Sequence, residues 1–231
     1  MNLYRRTKMK DRKLFNLNLV ESDNSIKSAQ DNNIRIYSTP DGVFPSVTTV
    51  VGWDKRLFFE SWRIKNKAES ARVCTRGTNL HSLVENYILG KEVNLKAFDD
   101  KTQDLFKLIR PKVDELDEIY ALETPLWSKK VGLAGRVDCI GLHEGKIKVI
   151  DFKGSTRKKD VRDIQNYFLQ ATAYCLMWQE RTGEKIKDFS IFLASEEGLM
   201  QVFSEKTVNF VGDLKKTIEK FKEVSNDSIE T

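Results

Sequence analysis

Gly135-Arg136-Val137-Asp138-Cys139-Ile140 and, beyond a turn at Glu144-Gly145, Val149-Ile150-Asp151-Phe152-Lys153-Gly154 are the two segments whose reading decides the fold. Both are apolar runs interrupted by an acid, and a Gly-containing turn separates them. That pattern predicts strands over 132–142 and 146–152, paired as a hairpin. Lys153 lies two residues beyond Asp151, so strand alternation puts both on one face. Asp138 can face Asp151 from the neighbouring strand. Such a grouping packs badly: two unit charges ~4 Å apart repel by about 4 kcal/mol at an effective dielectric of about 20. A divalent cation turns that repulsion into binding, because Mg²⁺ takes one or two carboxylates together with waters and phosphate oxygens. The competing structural reading makes Asp138 a strand-end turn residue and Asp151–Lys153 a surface ion pair worth ~0–1 kcal/mol. An Asp-Phe-Lys triplet alone does not decide between them. Gly-Arg-Val-Asp at hairpin spacing favours a site.

Working outward, a third strand is expected over 122–127 and two more over 186–194 and 199–203. A helix is expected over 160–180, where Val161, Ile164, Phe168, Ala171, Cys175 and Trp178 recur by threes and fours. A charged terminal helix follows over 208–224. Upstream, helices are expected over 78–89, ended by Gly90, and over 95–120, kinked or broken at Pro111. A short strand over 33–38 and a turn at Thr39-Pro40-Asp41-Gly42 precede an aromatic-rich helical region with Trp53, Phe58, Phe59 and Trp62. The expected fold is α/β, a central mixed sheet flanked by helices with a mostly helical N-terminal part. The expected division is a polar lead-in at 1–33, a helical part at 34–120 and a catalytic core at 121–231, the last two forming one compact unit.

A phosphodiester needs an activated water, relief of charge on the phosphoryl oxygens and help for the departing oxygen. A metal held by Asp138 and Asp151 supplies the first two. Lys153 can orient the water, assist its deprotonation or offset the developing charge.

Asp138 followed by Asp151-Phe152-Lys153 resembles the paired motifs of PD-(D/E)XK nucleases, with a restriction-endonuclease-like core. Two further stretches are similar to the RecB-like branch: Arg76-Gly77-Thr78-Asn79-Leu80-His81-Ser82-Leu83-Val84-Glu85 before the sheet, and Gln170-Ala171-Thr172-Ala173-Tyr174 after it. Phe44-Pro45-Ser46-Val47-Thr48-Thr49-Val50 resembles the genome-maintenance exonucleases of mitochondria and their phage and bacterial relatives. The resemblance covers roughly residues 42–178. It implies that His81 joins Asp138 and Asp151 as a metal ligand, with Gln170 and Tyr174 orienting the site or touching the strand. It implies Mg²⁺ or Mn²⁺ as cofactor and single-stranded DNA or free ends as substrate. Glu85, at i+4 from His81, and Glu123, opening the first strand, are supporting candidates. Ser82 and Glu85 also fit a helix-capping pattern, and a lone His beside an apolar stripe is usually packed.

Ser46, Thr48 and Thr49 precede a helix and can hold a phosphate there or simply cap it. Trp62 and Arg63, with Trp53, Phe59, Lys55 and Arg56 nearby, are candidates to stack bases and neutralise phosphates. Aromatics at helical spacing more often form core, and that reading is preferred for Trp53, Phe59 and Trp62 alike. His143, at the hairpin turn, is expected to face solvent.

The 231 residues carry a formal net charge of only +5, with Lys+Arg 39 against Asp+Glu 34. The local balance says more: Lys146, Lys148, Lys153, Arg157, Lys158, Lys159 and Arg162 crowd one stretch, beside Asp151 and Asp160, which suits a polyanion. Cys74, Cys139 and Cys175 have no CxxC spacing. That argues for a reducing compartment and against a zinc site or a four-cysteine iron–sulfur cluster. No apolar run approaches the ~20 residues of a membrane span. The basic start (Arg5, Arg6, Lys8, Lys10, Arg12, Lys13) lacks the features of a secretory signal, and Asp11 with few serines argues against a mitochondrial transit peptide. The expected place is the cytoplasm of a bacterium or phage-infected cell, in recombination, repair or genome processing. No Walker-type phosphate loop is present, so any helicase or recombination partner is another chain. A structure-selective endonuclease on the same fold and a catalytically silent nucleic-acid-binding subunit are the alternatives.

Overall fold

The computed structural model describes residues 13–21, 23, 25–31 and 34–227. Most of the basic start, from Arg5 to Arg12, therefore lies outside the described residues. Lys13 is described, and its ammonium donates to the backbone oxygens of Asp114 at 2.8 Å and Leu116 at 2.6 Å.

The central sheet has six strands in the order β1 (Asn16–Leu17), β5 (Glu118–Ser128), β6 (Leu133–His143), β7 (Lys146–Ser155), β8 (Asp188–Ser195) and β9 (Met200–Lys206). It is mixed: β1 runs parallel to β5 and β7 parallel to β8, while the other neighbours are antiparallel. A parallel pair needs a crossover. Helix α5 (Gln165–Thr182) provides it, entered through a 3₁₀ turn at Val161–Ile164 and ended by Gly183 in the left-handed conformation. A second, three-stranded antiparallel sheet joins β2 (Lys27–Asp31), β3 (Ile34–Thr39) and β4 (Gly42–Pro45). It meets the main sheet through an isolated bridge from Ser46 to Ala134.

Two cores cover the two faces. Residues of β5–β8 such as Ile140 and Val149 pack with α5, with Val47 and Val50 of α1 (Val47–Val51) and with Leu214 and Ile218 of α6 (Val211–Asp227). Cys139, Ile150 and Phe152 pack with Leu80 and Val84 of α3 (Lys67–Ile88) and with Leu105 and Ile109 of α4 (Asp100–Val113). Between α1 and α3 lies α2 (Arg56–Lys65), which buries no residue. The architecture is the expected α/β arrangement, a mixed sheet flanked by helices.

Three element expectations are corrected. The helix expected over 95–120 is α4 alone, started by Asp99, whose carboxylate accepts from Thr102 N at 3.0 Å. Pro111 lies in its last turn and the chain leaves the helix after Val113, so 118–120 belong to β5 instead. The helix expected from 78 begins at Lys67; before Leu80 it buries only Ser70 and Arg76, so no buried apolar stripe marks its first turns. His143 is buried, 2 % exposed, rather than solvated. Its ring stands edge-on to Phe192, and its two nitrogens lie 3.4 Å from Glu115 Oε2 and from Lys148 Nζ.

Candidate active site

Three acids stand in a row across β5, β6 and β7. The β5–β6 register pairs Leu122 with Cys139 and Thr124 with Val137, which sets Glu123 opposite Asp138. The β6–β7 ladder stops at Cys139–Ile150. One step further, where Asp138 and Asp151 are neighbours, the backbones part. The Phe152 amide then donates to Asp138 Oδ2 at 2.9 Å instead of to a backbone carbonyl. Asp138 thus satisfies a buried N–H that the splayed strands would otherwise orphan. Glu123 has φ +45°, left-handed backbone rare for a non-glycine residue. Such backbone strain is characteristic of functional positions. Arg136 holds the distorted residue by donating to the Glu123 carbonyl.

Lys153 Nζ lies 2.6 Å from each oxygen of Asp151 and 4.0 Å from Asp138 Oδ2. It is well aimed only at Asp151 Oδ1, so Oδ2 has an ion-pair contact but no hydrogen bond. Gln170, from α5, donates to Asp151 Oδ1 at 2.9 Å. Burial, aided by Asp138, holds the Asp151 carboxyl above the ordinary carboxylate range, against the pull of Lys153. Burial also works against the Lys153 ammonium, but Asp151 and Asp138 outweigh it and keep that group charged, above the usual lysine value. Tyr167 places its ring 5.3 Å from Nζ.

His81 arrives from α3, on the other side of the gap. Its Nδ1 is 3.4 Å from Glu123 Oε1 and 3.5 Å from Asp138 Oδ1. Donor atoms of His81, Glu123 and Asp138 all lie within 4.8 Å of one another. One imidazole nitrogen and carboxylate oxygens so close together fit a divalent cation. Asp151 faces Lys153 and Gln170 and stands outside that trio.

The other expected residues are distributed as follows. The Glu85 side chain makes no hydrogen bond or ion pair among the described residues, and its backbone oxygen accepts from Leu89 N at 2.9 Å. Tyr174 is buried against β6, where a Cβ on Gly135 would come within 2.7 Å of its hydroxyl; the glycine makes room for the ring. Ser46 caps α1, accepting from Thr49 N at 3.1 Å, and its hydroxyl also contacts those of Thr48 and Thr49. Thr48, Thr49, Trp62 and Arg63 line a groove of about 1040 Å³ that runs beside Gly154 and Tyr167. Reading the aromatics here as core is overturned for Phe59, which is 46 % exposed beside Phe58 at 67 %, while Trp53 packs against the core and Trp62 is half-buried. Trp53 stacks under Arg56 at 3.8 Å and meets Phe221 edge-on at 4.9 Å.

Arg76 is a residue that spacing does not flag. Its side chain is 3 % exposed, it pairs with Glu196 from the turn after β8, and it donates to Gly154 O at 3.3 Å. It thereby clamps the helix carrying His81 to the end of the strand carrying Lys153. The only signal was its place in Arg76-Gly77-Thr78, five residues ahead of His81.

Residues 91–230 match the sequence model of the PD-(D/E)XK nuclease superfamily. The match begins beyond His81, so the place of His81 rests on the geometry above. Mitochondrial genome maintenance exonuclease 1 of Mus musculus is 26% identical over 145 residues, covering 56% of this chain and 43% of that protein. The Homo sapiens protein of the same name is 27% identical over 150 residues, covering 57% and 43%. The chain thus spans less than half the length of these relatives. A candidate exonuclease from Eubacterium rectale, of known crystal structure, superposes with a TM-score of 0.40 at 17% identity over 64% of each chain.

Proposed function

This chain belongs to the PD-(D/E)XK nuclease superfamily, and from that premise we propose that it is a metal-dependent DNA exonuclease acting on single strands or free ends. The observation that carries this reading is the row Glu123–Asp138–Asp151 closed by His81 on one side and Lys153 on the other. A divalent ion bound by His81, Glu123 and Asp138 would acidify a water and draw charge off a phosphoryl oxygen. The chain's own groups do the rest. Lys153, held charged by Asp151 and Asp138, is poised to donate to the attacked phosphoryl group and offset its developing charge, rather than to take a proton. Gln170 fixes the Asp151 carboxylate, so Lys153 Nζ has one anchored partner. Asp138 is fixed by the Phe152 amide. The water's oxygen bonds to phosphorus as the P–O ester bond breaks; the water's proton leaves to solvent or a neighbouring carboxylate, and the departing oxygen takes a proton from solvent.

Single strands are favoured by the exposed aromatics of α2, which offer faces to unpaired bases and would find none in a closed duplex. Recombination, repair or genome processing is the setting that end removal serves, and the mouse and human relatives carry genome maintenance in their names.

The test uses end-labelled linear and circular single strands, with Mg²⁺, Mn²⁺ or EDTA, and the variants Lys153→Ala and Asp151→Ala. Linear strands should be degraded only with metal, circles should survive, and each variant should lose at least ~100-fold in rate. Equal activity in EDTA or in either variant ends the nuclease mechanism. Cut circles would replace the exonuclease by an endonuclease.

A further inference from the structure

At the end of the sheet remote from Asp151, the starts of β7 and β8 and the end of β9 meet the last turns of α5 and the first of α6. They enclose a second groove, of about 850 Å³. Its floor is aliphatic: Ile147, Leu176, Ile186, Val208 and Val211. Val208 is 74 % exposed and Val211 39 %, so apolar surface is left in water at the rim. Four lysines and two acids border it. Asp188 is engaged by Lys146 at 3.7 Å, and Glu184 accepts from Trp178 Nε1 at 3.2 Å. Lys185, Lys187 and Lys206 line the groove with no ion pair among the described residues.

We propose that this groove docks an acidic, aliphatic-rich peptide segment of a partner protein. Three uncompensated ammonium groups over an aliphatic floor match carboxylates alternating with aliphatic side chains, and the lysine stems extend the apolar area. A nucleic-acid strand fits less well. No aromatic side chain lines the groove to stack a base, in contrast to the groove beside Tyr167.

The position suits recruitment. Lys146 and Asp151 are five residues apart on β7, about 16 Å at ~3.3 Å per residue. A docked peptide therefore leaves the catalytic groove open. The inference stands apart from the nuclease chemistry: Asp151→Ala should bind the peptide as the native chain does.

Fluorescence anisotropy with the full chain and a labelled decapeptide of alternating Glu and Leu tests it. That probe should bind at least about tenfold more tightly than one of alternating Glu and Ser, because the floor rewards aliphatic burial. The double variant Lys185→Glu/Lys187→Glu should weaken it at least about tenfold, with thermal unfolding and nuclease rate unchanged. Both lysines are exposed, so the variant should fold. No saturable binding below millimolar peptide, or unchanged affinity in the double variant, overturns the proposal. So does an equal loss of affinity for labelled octathymidine in that variant, which would make the groove a nucleic-acid track.

Discussion

In the metal-free protein a protonated His81 joins Lys153 in balancing the acid row. The Asp138 carboxylate beside it, seconded by Glu123 and opposed by burial, raises the imidazole pKa to about 9. A folded-state pKa above the unfolded value of 6.5 stabilises the fold fully below pH 6.5, and the benefit is lost as pH rises through about 9. The melting temperature of the metal-free protein should therefore fall across that window, and less so in His81→Gln. The same proton must leave before a divalent ion can take the imidazole nitrogen. Mn²⁺ affinity should then rise by roughly tenfold per pH unit up to the imidazole pKa. Calorimetric titration in two buffers of different ionisation enthalpy counts the proton released. Affinity independent of pH in this range would remove His81 from the ligand set.

Two helices frame the site in opposite ways, one by being clamped and one by being left uncovered. α3 is fastened through Arg76 to Glu196 and Gly154 O. Removing one partner of a buried ion pair typically costs ~3–5 kcal/mol. Arg72 also reaches Glu196, at 2.8 Å, so the lower end is expected for Arg76→Ala in urea unfolding; a loss under ~1 kcal/mol would show that packing alone seats α3. α2 buries nothing, so Phe58→Ser/Phe59→Ser should change stability by no more than ~0.5 kcal/mol for each residue. If bases stack there, affinity for a single strand should drop by ~1–3 kcal/mol per lost ring. Anisotropy and thermal melts on the same sample separate the two effects. The legibility of these elements in the sequence follows the same physics. β6 and β7 could be read because strand alternation fixes which side Asp151 and Lys153 share. The end of α4 could not, because Leu105, Ile109, Val113 and Leu116 keep a helical period up to the doorstep of β5 and are all buried. The motif placed His81 on a helix before the sheet. The 3.4 Å approach of His81 to Glu123 was not legible, since that depends on a left-handed residue inside a strand. The exposed aromatics of α2 reversed the usual expectation because no element of the described chain covers them.

Over the whole molecule, a formal charge of +5 is small, so on the proposed reading affinity for a strand rests on where the charges gather. Arg35, Arg56, Arg63, Arg157 and Lys159 line the groove beside the acid row, with Glu60 and Glu69 also on its walls. Each phosphate neutralised on a single strand contributes about −0.7 to the slope of log K against log salt concentration. Four or so such contacts give a slope near −3. Arg157 and Lys159 sit on the chain just after Lys153, on the path that the proposed reading gives to a strand. Arg157→Ala/Lys159→Ala should therefore make the slope shallower by about 1.4 and weaken binding most at low salt. Lys185→Glu/Lys187→Glu, at the far end of the sheet, should leave the slope as it was. Anisotropy of a labelled single strand in EDTA, from about 50 to 200 mM salt, reads both. A slope indifferent to Arg157 and Lys159 but sensitive to Lys185 and Lys187 would mean that the strand crosses the opposite end of the sheet, out of reach of Lys153.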